Sequence, residues 1–352
     1  MLLLLYALVM LNAPPQAKTL ERQAIGVVMS LGGRVNYDLA VPGRPVVYVA
    51  LNRAGADGAG LKCLKNFPHL QRLDLMDFEG VDAALVQVAE LMRLKQLNMD
   101  RSTLTDRGMR HLIPLVNLET LTVGATAIGD EGLKSVAGLR RLRWLDIGRT
   151  RVTDAGLAVV CGLTGLERLD LAYTRVTSEG LRHVEGLAHL SDLMLPSGVT
   201  DAGVAHLAGL VNLTSLDVGD SPITDAGMAS MRDMRHLVAL YLCNTRVGNA
   251  GLAFLEDKRE LSTLNISGTR VTDAGLKHLR GLGKLEHLVL ENLPITDAGL
   301  ESLRGLSRLR AINVTDTKTT DRGLASLKAA IPGLTIFRGG GVWVVEGQGG
   351  NR

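Results

Sequence analysis

This chain of 352 residues has few aromatic residues, and its positive and negative charges nearly balance. Phe, Trp and Tyr make up 3% of the sequence although 46% of it is hydrophobic, and the formal net charge is only +3. So few aromatic residues argue against base-stacking nucleic-acid binders and against aromatic-lined pockets for sugars or cofactors. The small charge imbalance argues against a dedicated nucleic-acid binder or a polybasic membrane binder. The high apolar content disfavours wholesale disorder.

Cysteines are also few in this chain, and the common catalytic motifs are missing. The three cysteines, Cys63, Cys161 and Cys243, are odd in number and follow no disulfide or zinc spacing. There is no P-loop, no Gly-x-Ser-x-Gly, no His-Glu-x-x-His and no dinucleotide-binding fingerprint. We therefore predict no catalytic residues, no cofactor and no enzymatic activity.

What the chain does contain is one motif repeated along most of its length. An L-x-x-L-x-L run recurs every 24 residues, except for one 23-residue step from Leu190 to Leu213. A degenerate copy begins at Val46 and a truncated one at Leu334. A fixed period of this length predicts a stack of similar structural units. The first leucines of the eleven clear repeats are Leu70, Leu94, Leu118, Leu142, Leu166, Leu190, Leu213, Leu237, Leu261, Leu285 and Leu309.

Each repeat combines a strand pattern with a short helix pattern. The alternating leucines predict a strand with one buried face. A Thr-Asp-x-Gly-Leu run such as 153–157 then predicts a helix whose first amides are capped by Thr or Asp, and a closing glycine such as Gly162 predicts a left-handed helix end. We expect stacked units to bury one core between parallel strands and helices. Strands stand about 4.8 Å apart and helices about 8–10 Å, so the stack should bend with its strands inside.

These repeats resemble the leucine-rich repeat superfamily, and most closely its cysteine-containing, ribonuclease-inhibitor-like branch. The resemblance runs from Val46 to about Phe337, and the uniform T-D-A-G-L run is typical of bacterial members. It implies an α/β fold, namely a leucine-rich repeat solenoid, or horseshoe, with a parallel β-sheet on the concave face and short helices on the convex face. Where the branch has Cys or Asn after the strand, this chain has a threonine column that we expect to hydrogen-bond turn backbone between repeats. The column contains Thr126, Thr150, Thr174, Thr245, Thr269 and Thr317.

The sequence divides into four parts. Residues 1–17 form an apolar run that is too short to span a bilayer and resembles a secretory signal peptide, although no basic residue precedes it. Export is therefore favoured over a cytoplasmic location, with a mis-started reading frame, a disordered end or a locally packed apolar end as alternatives. Residues 18–45 predict a capping helix and an edge strand, residues 46–333 the repeats, and residues 334–352 a C-terminal cap and a flexible tail. We predict no transmembrane helix and expect a monomer.

Two recurring residue types raise the question of a metal site. The Asp of Thr-Asp-x-Gly-Leu suggests a calcium ladder, but calcium needs six to eight converging oxygens, so we interpret this Asp as a helix cap. His183 and His206 share one position in successive repeats, yet no carboxylate or Cys arrives at a matching spacing. We therefore predict no metal site.

The candidate binding residues depart from the repeat pattern at outward positions. Trp144 and Arg168 occupy the same strand position in adjacent repeats, and Met194 and Tyr241 interrupt a column of Asp and Asn. Two further positions after the strand carry arginine or tyrosine. Because Trp, Tyr and Arg dominate interface hot spots, we predict a partner-binding patch, with ordinary solvated basic residues as the alternative. The predicted patch contains Trp144, Arg149, Arg151, Arg168, Tyr173, Arg175, Met194 and Tyr241.

The leading functional hypothesis is a non-enzymatic scaffold that binds a protein partner on the concave face or rim. No nucleic acid and no small-molecule substrate is expected. One alternative is the substrate-recognition subunit of a ubiquitin ligase, because F-box proteins carry similar repeats, but only residues 18–45 are available for an F-box. A more remote alternative is a GTPase-activating enzyme in which Arg151 or Arg175 supplies a catalytic arginine.

The 23-residue repeat that begins at Leu190 also predicts a local irregularity around 196–198.

Overall fold

The computed structural model describes residues 15–52, 60–339 and 341–343. The chain forms two compact units, Met1–Arg175 and Val176–Arg352. Residues 1–14 of the predicted signal-like segment 1–17 lie outside the described residues, and so does the predicted tail beyond residue 343. Within the described ranges, no helix combines the length and the apolar character needed to cross a membrane.

The first unit is a parallel sheet that begins with an antiparallel pair. Helix α1 (Pro15–Ser30) precedes strand β1 (Arg34–Tyr37), which runs antiparallel to β2 (Val46–Ala50). From β2 onward, each strand pairs in parallel with the strand of the next repeat, so that equivalent residues stand side by side. The following strands are β3 (Arg72–Asp74), β4 (Gln96–Asn98), β5 (Thr120–Thr122), β6 (Trp144–Asp146) and β7 (Arg168–Asp170).

Short helices lie between the strands of the first unit. Most are a single α-helical turn that continues as a 3₁₀ turn. The apolar residues Leu157, Val160 and Leu163 are all fully buried at a spacing of three, which matches the three-residue period of a 3₁₀ helix. The α-helices are α2 (Val81–Val88), α3 (Asp106–Met109), α4 (Asp130–Leu133) and α5 (Asp154–Leu157), and the 3₁₀ helices are Gly60–Asn66, Arg110–Leu112, Lys134–Val136 and Val160–Gly162.

The second unit repeats this plan and ends with an antiparallel strand. Its parallel strands are β8 (Asp192–Met194), β9 (Ser215–Asp217), β10 (Ala239–Tyr241), β11 (Thr263–Asn265), β12 (His287–Val289), β13 (Ala311–Asn313) and β14 (Thr335–Arg338), and β15 (Gly341–Trp343) pairs antiparallel with β14. Its helices are α6 (Asp201–Ala205), α7 (Asp225–Ser230), α8 (Asn249–Leu252), α9 (Asp273–Leu276), α10 (Asp297–Glu301) and α11 (Asp321–Ala330), with 3₁₀ helices at Gly180–Val184, Ala253–Leu255 and Lys277–Leu279. The predicted parallel sheet with short helices is thus confirmed in both units.

The Asp of the Thr-Asp-x-Gly-Leu run has a different role from the predicted one. Thr153 caps its own helix, because its Oγ1 accepts a hydrogen bond from the amide of Ala155. Asp130, one repeat earlier, accepts from the amide of Thr153 at 2.8 Å and from its hydroxyl at 2.7 Å. The helix-capping interpretation of this Asp was therefore incomplete, since the carboxylate clasps the next repeat. The same clasp joins Asp82 to Thr105, Asp201 to Thr224, Asp273 to Thr296 and Asp297 to Thr320.

The threonine column and the closing glycines also differ from prediction. Each column hydroxyl donates to the carbonyl oxygen three residues earlier in its own repeat, as Thr150 does to Ile147 at 2.6 Å, and not to a neighbouring repeat. The closing glycines, such as Gly138 and Gly162, are not among the residues with positive φ. The left-handed residue lies instead at the corner after the strand, seven residues after the first leucine of the repeat. In the 23-residue repeat the left-handed corner falls at Gly198, eight residues after Leu190, which is the local irregularity that the sequence predicts.

Candidate interaction surface

Trp144 and Arg168 form a stacked pair on the first unit. They lie directly opposite each other on the paired strands β6 and β7. The guanidinium carbon of Arg168 lies 4.2 Å from the centre of the Trp144 ring. Trp144 is half-buried and Arg168 is exposed. The parallel register therefore converts one repeat position into a cation–π contact at the surface.

Arg149 and Tyr173 form a second stacked pair at the corners that follow these two strands. The Arg149 guanidinium carbon lies 4.2 Å from the centre of the Tyr173 ring, and 55% of the Tyr173 surface remains exposed. Both residues are left-handed, with φ of 57° and 56°. Residues other than Gly, Asn and Asp rarely adopt this backbone conformation, because their Cβ atom crowds the backbone.

The residue type at the left-handed corner differs between the two units. All five left-handed corner residues of the second unit's 24-residue repeats are of types that tolerate positive φ, namely Asp220, Asn244, Gly268, Asn292 and Asp316. The first unit has Asp77, Arg101, Ala125, Arg149 and Tyr173 at the same position. Folding alone would favour Asn, Asp or Gly there. Four corners of the first unit therefore bear a backbone cost, and two of them, Arg149 and Tyr173, also stack on each other.

Arg151 and Arg175 lie two residues beyond these corners. The amide of Arg151 donates to Ile128 and that of Arg175 to Val152, so the backbone is fixed while both side chains are exposed. Nearby basic residues form ion pairs, as Arg143 does with Glu167 at 2.5 Å and Lys95 with Glu119 at 3.0 Å. Within the described part of the chain, no ion pair is formed by Arg149, Arg151, Arg168 or Arg175. We call these four arginines with Trp144 and Tyr173 the aromatic–arginine surface.

Met194 and Tyr241 belong to the second unit. They end strands β8 and β10, and β9 lies between these strands with Asp217 in register with both. Met194 is 46% exposed and Tyr241 is half-buried. The structure therefore gathers six of the eight predicted residues in one unit and places the other two, separated by a strand, in the other unit.

Comparison with known proteins identifies the fold. A family model described as a leucine-rich repeat matches residues 210–231. An internalin from Listeria monocytogenes is 20% identical, with a TM-score of 0.64, and the match covers 90% of this chain and 94% of the internalin. The protein is a leucine-rich repeat solenoid. A leucine-rich repeat protein of Leptospira interrogans is 18% identical, with a TM-score of 0.54 and coverage of 78% and 80%.

These likenesses establish the fold and no more. A search of curated proteins finds no match. The ribonuclease-inhibitor-like branch stays a prediction. Leucine-rich repeat solenoids commonly mediate protein–protein interaction, because repeated strands present an extended surface.

Sequence reasoning missed a third aromatic–arginine pair on this solenoid. The guanidinium carbon of Arg72 lies 5.0 Å from the ring centre of Tyr48, on the paired strands β3 and β2. Tyr48 belongs to the degenerate first repeat, and the comparison of outward strand positions did not include that repeat. Including it would have placed Tyr48 opposite Arg72, just as Trp144 stands opposite Arg168.

Two histidines of the solenoid, His206 and His278, pair with carboxylates, whereas the Nε2 of His183 accepts from Arg182. His206 Nδ1 lies 2.5 Å from a carboxylate oxygen of Glu185, and His278 Nδ1 lies 2.5 Å from one of Glu256. No cluster of three or more His, Cys, Asp or Glu residues that could hold a metal ion occurs in the described ranges.

Asp146 lies two residues after Trp144 and has a perturbed pKa. Burial, together with the charges of Asp170 and Asp100, raises the pKa of this carboxyl from 3.8 to about 7, although the hydrogen bond from the amide of Gly148 lowers it. The folded protein thus holds this proton more tightly than the unfolded chain does. Its contribution to stability is present below pH 3.8 and is lost as the pH rises through about 7.

We expect Asp146→Asn to raise the free energy of unfolding at pH 8, and the gain to shrink as the pH falls toward 4. Asn fits this position, because Asn98 and Asn265 accept the same amide hydrogen bond from two residues ahead. The pKa difference sets an upper limit of about 4 kcal/mol, which solvent screening reduces. Denaturant unfolding at several pH values measures the gain, with the exposed Asp316→Asn as the control. A gain that does not change with pH would contradict the raised pKa.

Proposed function

We propose that this solenoid is a non-enzymatic protein-interaction scaffold that binds its partner through the aromatic–arginine surface of the first unit. The observation that carries the proposal is the left-handed backbone of Arg149 and Tyr173. The fold would be more stable with Asn or Gly at these corners, as in the second unit, so selection for binding explains the arginine and tyrosine better than selection for stability does.

The geometry of the surface supports this proposal. Trp, Tyr and Arg supply large contact areas with little loss of side-chain entropy on binding, and they dominate binding energy at interfaces. Here each ring is stacked with an arginine at 4.2 Å, so part of the ordering is already complete before a partner arrives. The surface is therefore preorganised for binding.

The alternatives find less support. No contact among the described residues favours a ubiquitin-ligase subunit of the F-box type. No contact of Arg151 or Arg175 favours a GTPase-activating role.

The test is partner capture with Trp144→Ala, Arg168→Ala and Tyr173→Asn combined. We expect capture of a partner from the native host to fall about tenfold or more, as for the loss of interface hot spots. The melting temperature should change little, because Asn suits the left-handed corner and the other two side chains lie at the surface. The matched control combines Tyr241→Ala, Arg246→Ala and Arg270→Ala in the second unit. Equal capture by the wild type and the first variant would refute the proposed surface.

A further inference from the structure

The charge of the aromatic–arginine surface indicates what kind of partner it accepts. Two neighbouring basic side chains on the first unit are neutralised within the protein, Lys95 by Glu119 and Arg143 by Glu167. The arginines at 149, 151, 168 and 175 form no ion pair with any described residue, and all four are exposed. Four guanidinium groups on this surface therefore remain available to a partner.

The half-buried carboxylates on the same face each accept a backbone amide. Asp146 accepts the amide of Gly148 at 2.9 Å, and Asp170 accepts the amide of Ala172 at 2.8 Å. Each of these bonds ties a carboxylate oxygen to the backbone corner two residues after it. The charge of the arginines is left to an external group.

Two of the arginines lie over aromatic rings in adjacent repeats. The guanidinium carbons of Arg149 and Arg168 each lie 4.2 Å from a ring centre, and the strands of adjacent repeats stand about 4.8 Å apart. A guanidinium group carries several N–H donors and can donate two parallel hydrogen bonds to one carboxylate. Two carboxylates on one partner segment could therefore contact these two arginines.

We propose that the aromatic–arginine surface binds an acidic protein segment, in which at least two Asp or Glu side chains contact Arg149 and Arg168. This inference rests on the proposed function and adds the chemistry of the partner. A nucleic acid fits less well, because the net charge of the chain is only +3 and because the carboxylate of Asp170 ends the strand that carries Arg168. The aromatic rings are already occupied by guanidinium groups and are not free to stack on bases.

The experiment measures binding of a fluorescein-labelled hexaglutamate peptide by fluorescence anisotropy at low salt. We expect the double variant Arg149→Gln with Arg168→Gln to bind about tenfold more weakly than the wild type. The matched control, Arg246→Gln with Arg270→Gln, removes the same charge from the second unit and should change binding by less than about twofold. Added salt should weaken wild-type binding, since exposed ion pairs are screened.

Two results would overturn the acidic partner. One is hexaglutamate binding that is absent or insensitive to the double variant, and the other is a single-stranded oligonucleotide of equal charge that binds as tightly through the same arginines. Failure of this inference is separable from failure of the proposed function. If Trp144→Ala with Tyr173→Asn abolishes partner capture but the arginine variant does not, the proposed interaction surface is supported and the acidic nature of the partner is refuted. If hexaglutamate binding needs the arginines while capture is insensitive to every variant, the proposed function falls.

Discussion

Gly156→Ala should lower the free energy of unfolding by about 2–4 kcal/mol. An added Cβ would lie 2.4 Å from Oδ1 of Asp130, 3.1 Å from the Cα of Asp130 and 3.1 Å from a methyl group of Val152. The carboxylate cannot simply move aside, because it holds both the amide and the hydroxyl of Thr153. Relieving the clash breaks the clasp between two repeats and leaves the Thr153 amide without its acceptor.

The matched control is Gly138→Ala, where nothing lies within 4 Å of an added Cβ and φ is not positive. Alanine there should be neutral or should stabilise by a few tenths of a kcal/mol, because it restricts the unfolded chain. Denaturant unfolding of both variants measures the difference. Equal stability of the two variants would show that the clasp does not require glycine. The same close approach recurs at Gly108, Gly132, Gly227, Gly251, Gly275, Gly299 and Gly323.

Lys258→Leu should raise the free energy of unfolding by about 1–3 kcal/mol. Lys258 is 1% exposed and stands three residues before the first leucine of a repeat, at a position that is otherwise apolar and buried. Burial lowers the pKa of its amino group, which the nearby Asp233 and Asp257 only partly offset. Its amino group donates to the carbonyl of Arg232, so leucine forfeits one hydrogen bond but removes the desolvation of a charge. The other residues at this position are Phe67, Leu91, Leu115, Leu139, Leu163, Leu187, Leu210, Met234, Leu282, Leu306 and Ile331.

The pH dependence separates this explanation from a simple packing gain. Because the folded state binds the Lys258 proton less tightly than the unfolded chain, the wild type gains stability as the pH rises toward 10.5. The advantage of Lys258→Leu should therefore be largest near neutral pH and narrow in alkaline solution. Lys277→Leu, at an exposed position, serves as the control and should change stability little. A destabilised Lys258→Leu would mean that the bond to Arg232 outweighs the burial of charge.

Much of the fold could be predicted from the sequence, because the 24-residue period repeats the same local pattern. The alternating leucines indicated the strands and their buried faces, as the fully buried Leu142 and Leu145 of one repeat illustrate. The pairs Trp144–Arg168 and Arg149–Tyr173 were also foreseeable as neighbours, because a parallel sheet in repeat register places equivalent positions side by side. That residues at the same repeat position are neighbours can therefore be predicted without knowledge of the tertiary fold.

Contacts between different positions of two successive repeats could not be predicted in this way. Asp130 binds Thr153, which is 23 residues later and occupies a different position in its repeat, so the sequence alone favoured a helix cap within one repeat. Only the stacked structure shows that this Asp fills the space above Gly156 and that the glycine is small for that reason.

The sequence by itself determined the repeat, its strand and helix alternation and the residue types at outward positions. Tertiary structure decided which corner residue adopts the left-handed conformation and therefore that Arg149 and Tyr173 bear a backbone cost. The physical reason is that corner amides hydrogen-bond to the next repeat, as the amide of Arg149 does to the carbonyl of Ala172 at 2.7 Å. Stacking sets the backbone angle there, whichever side chain the sequence supplies.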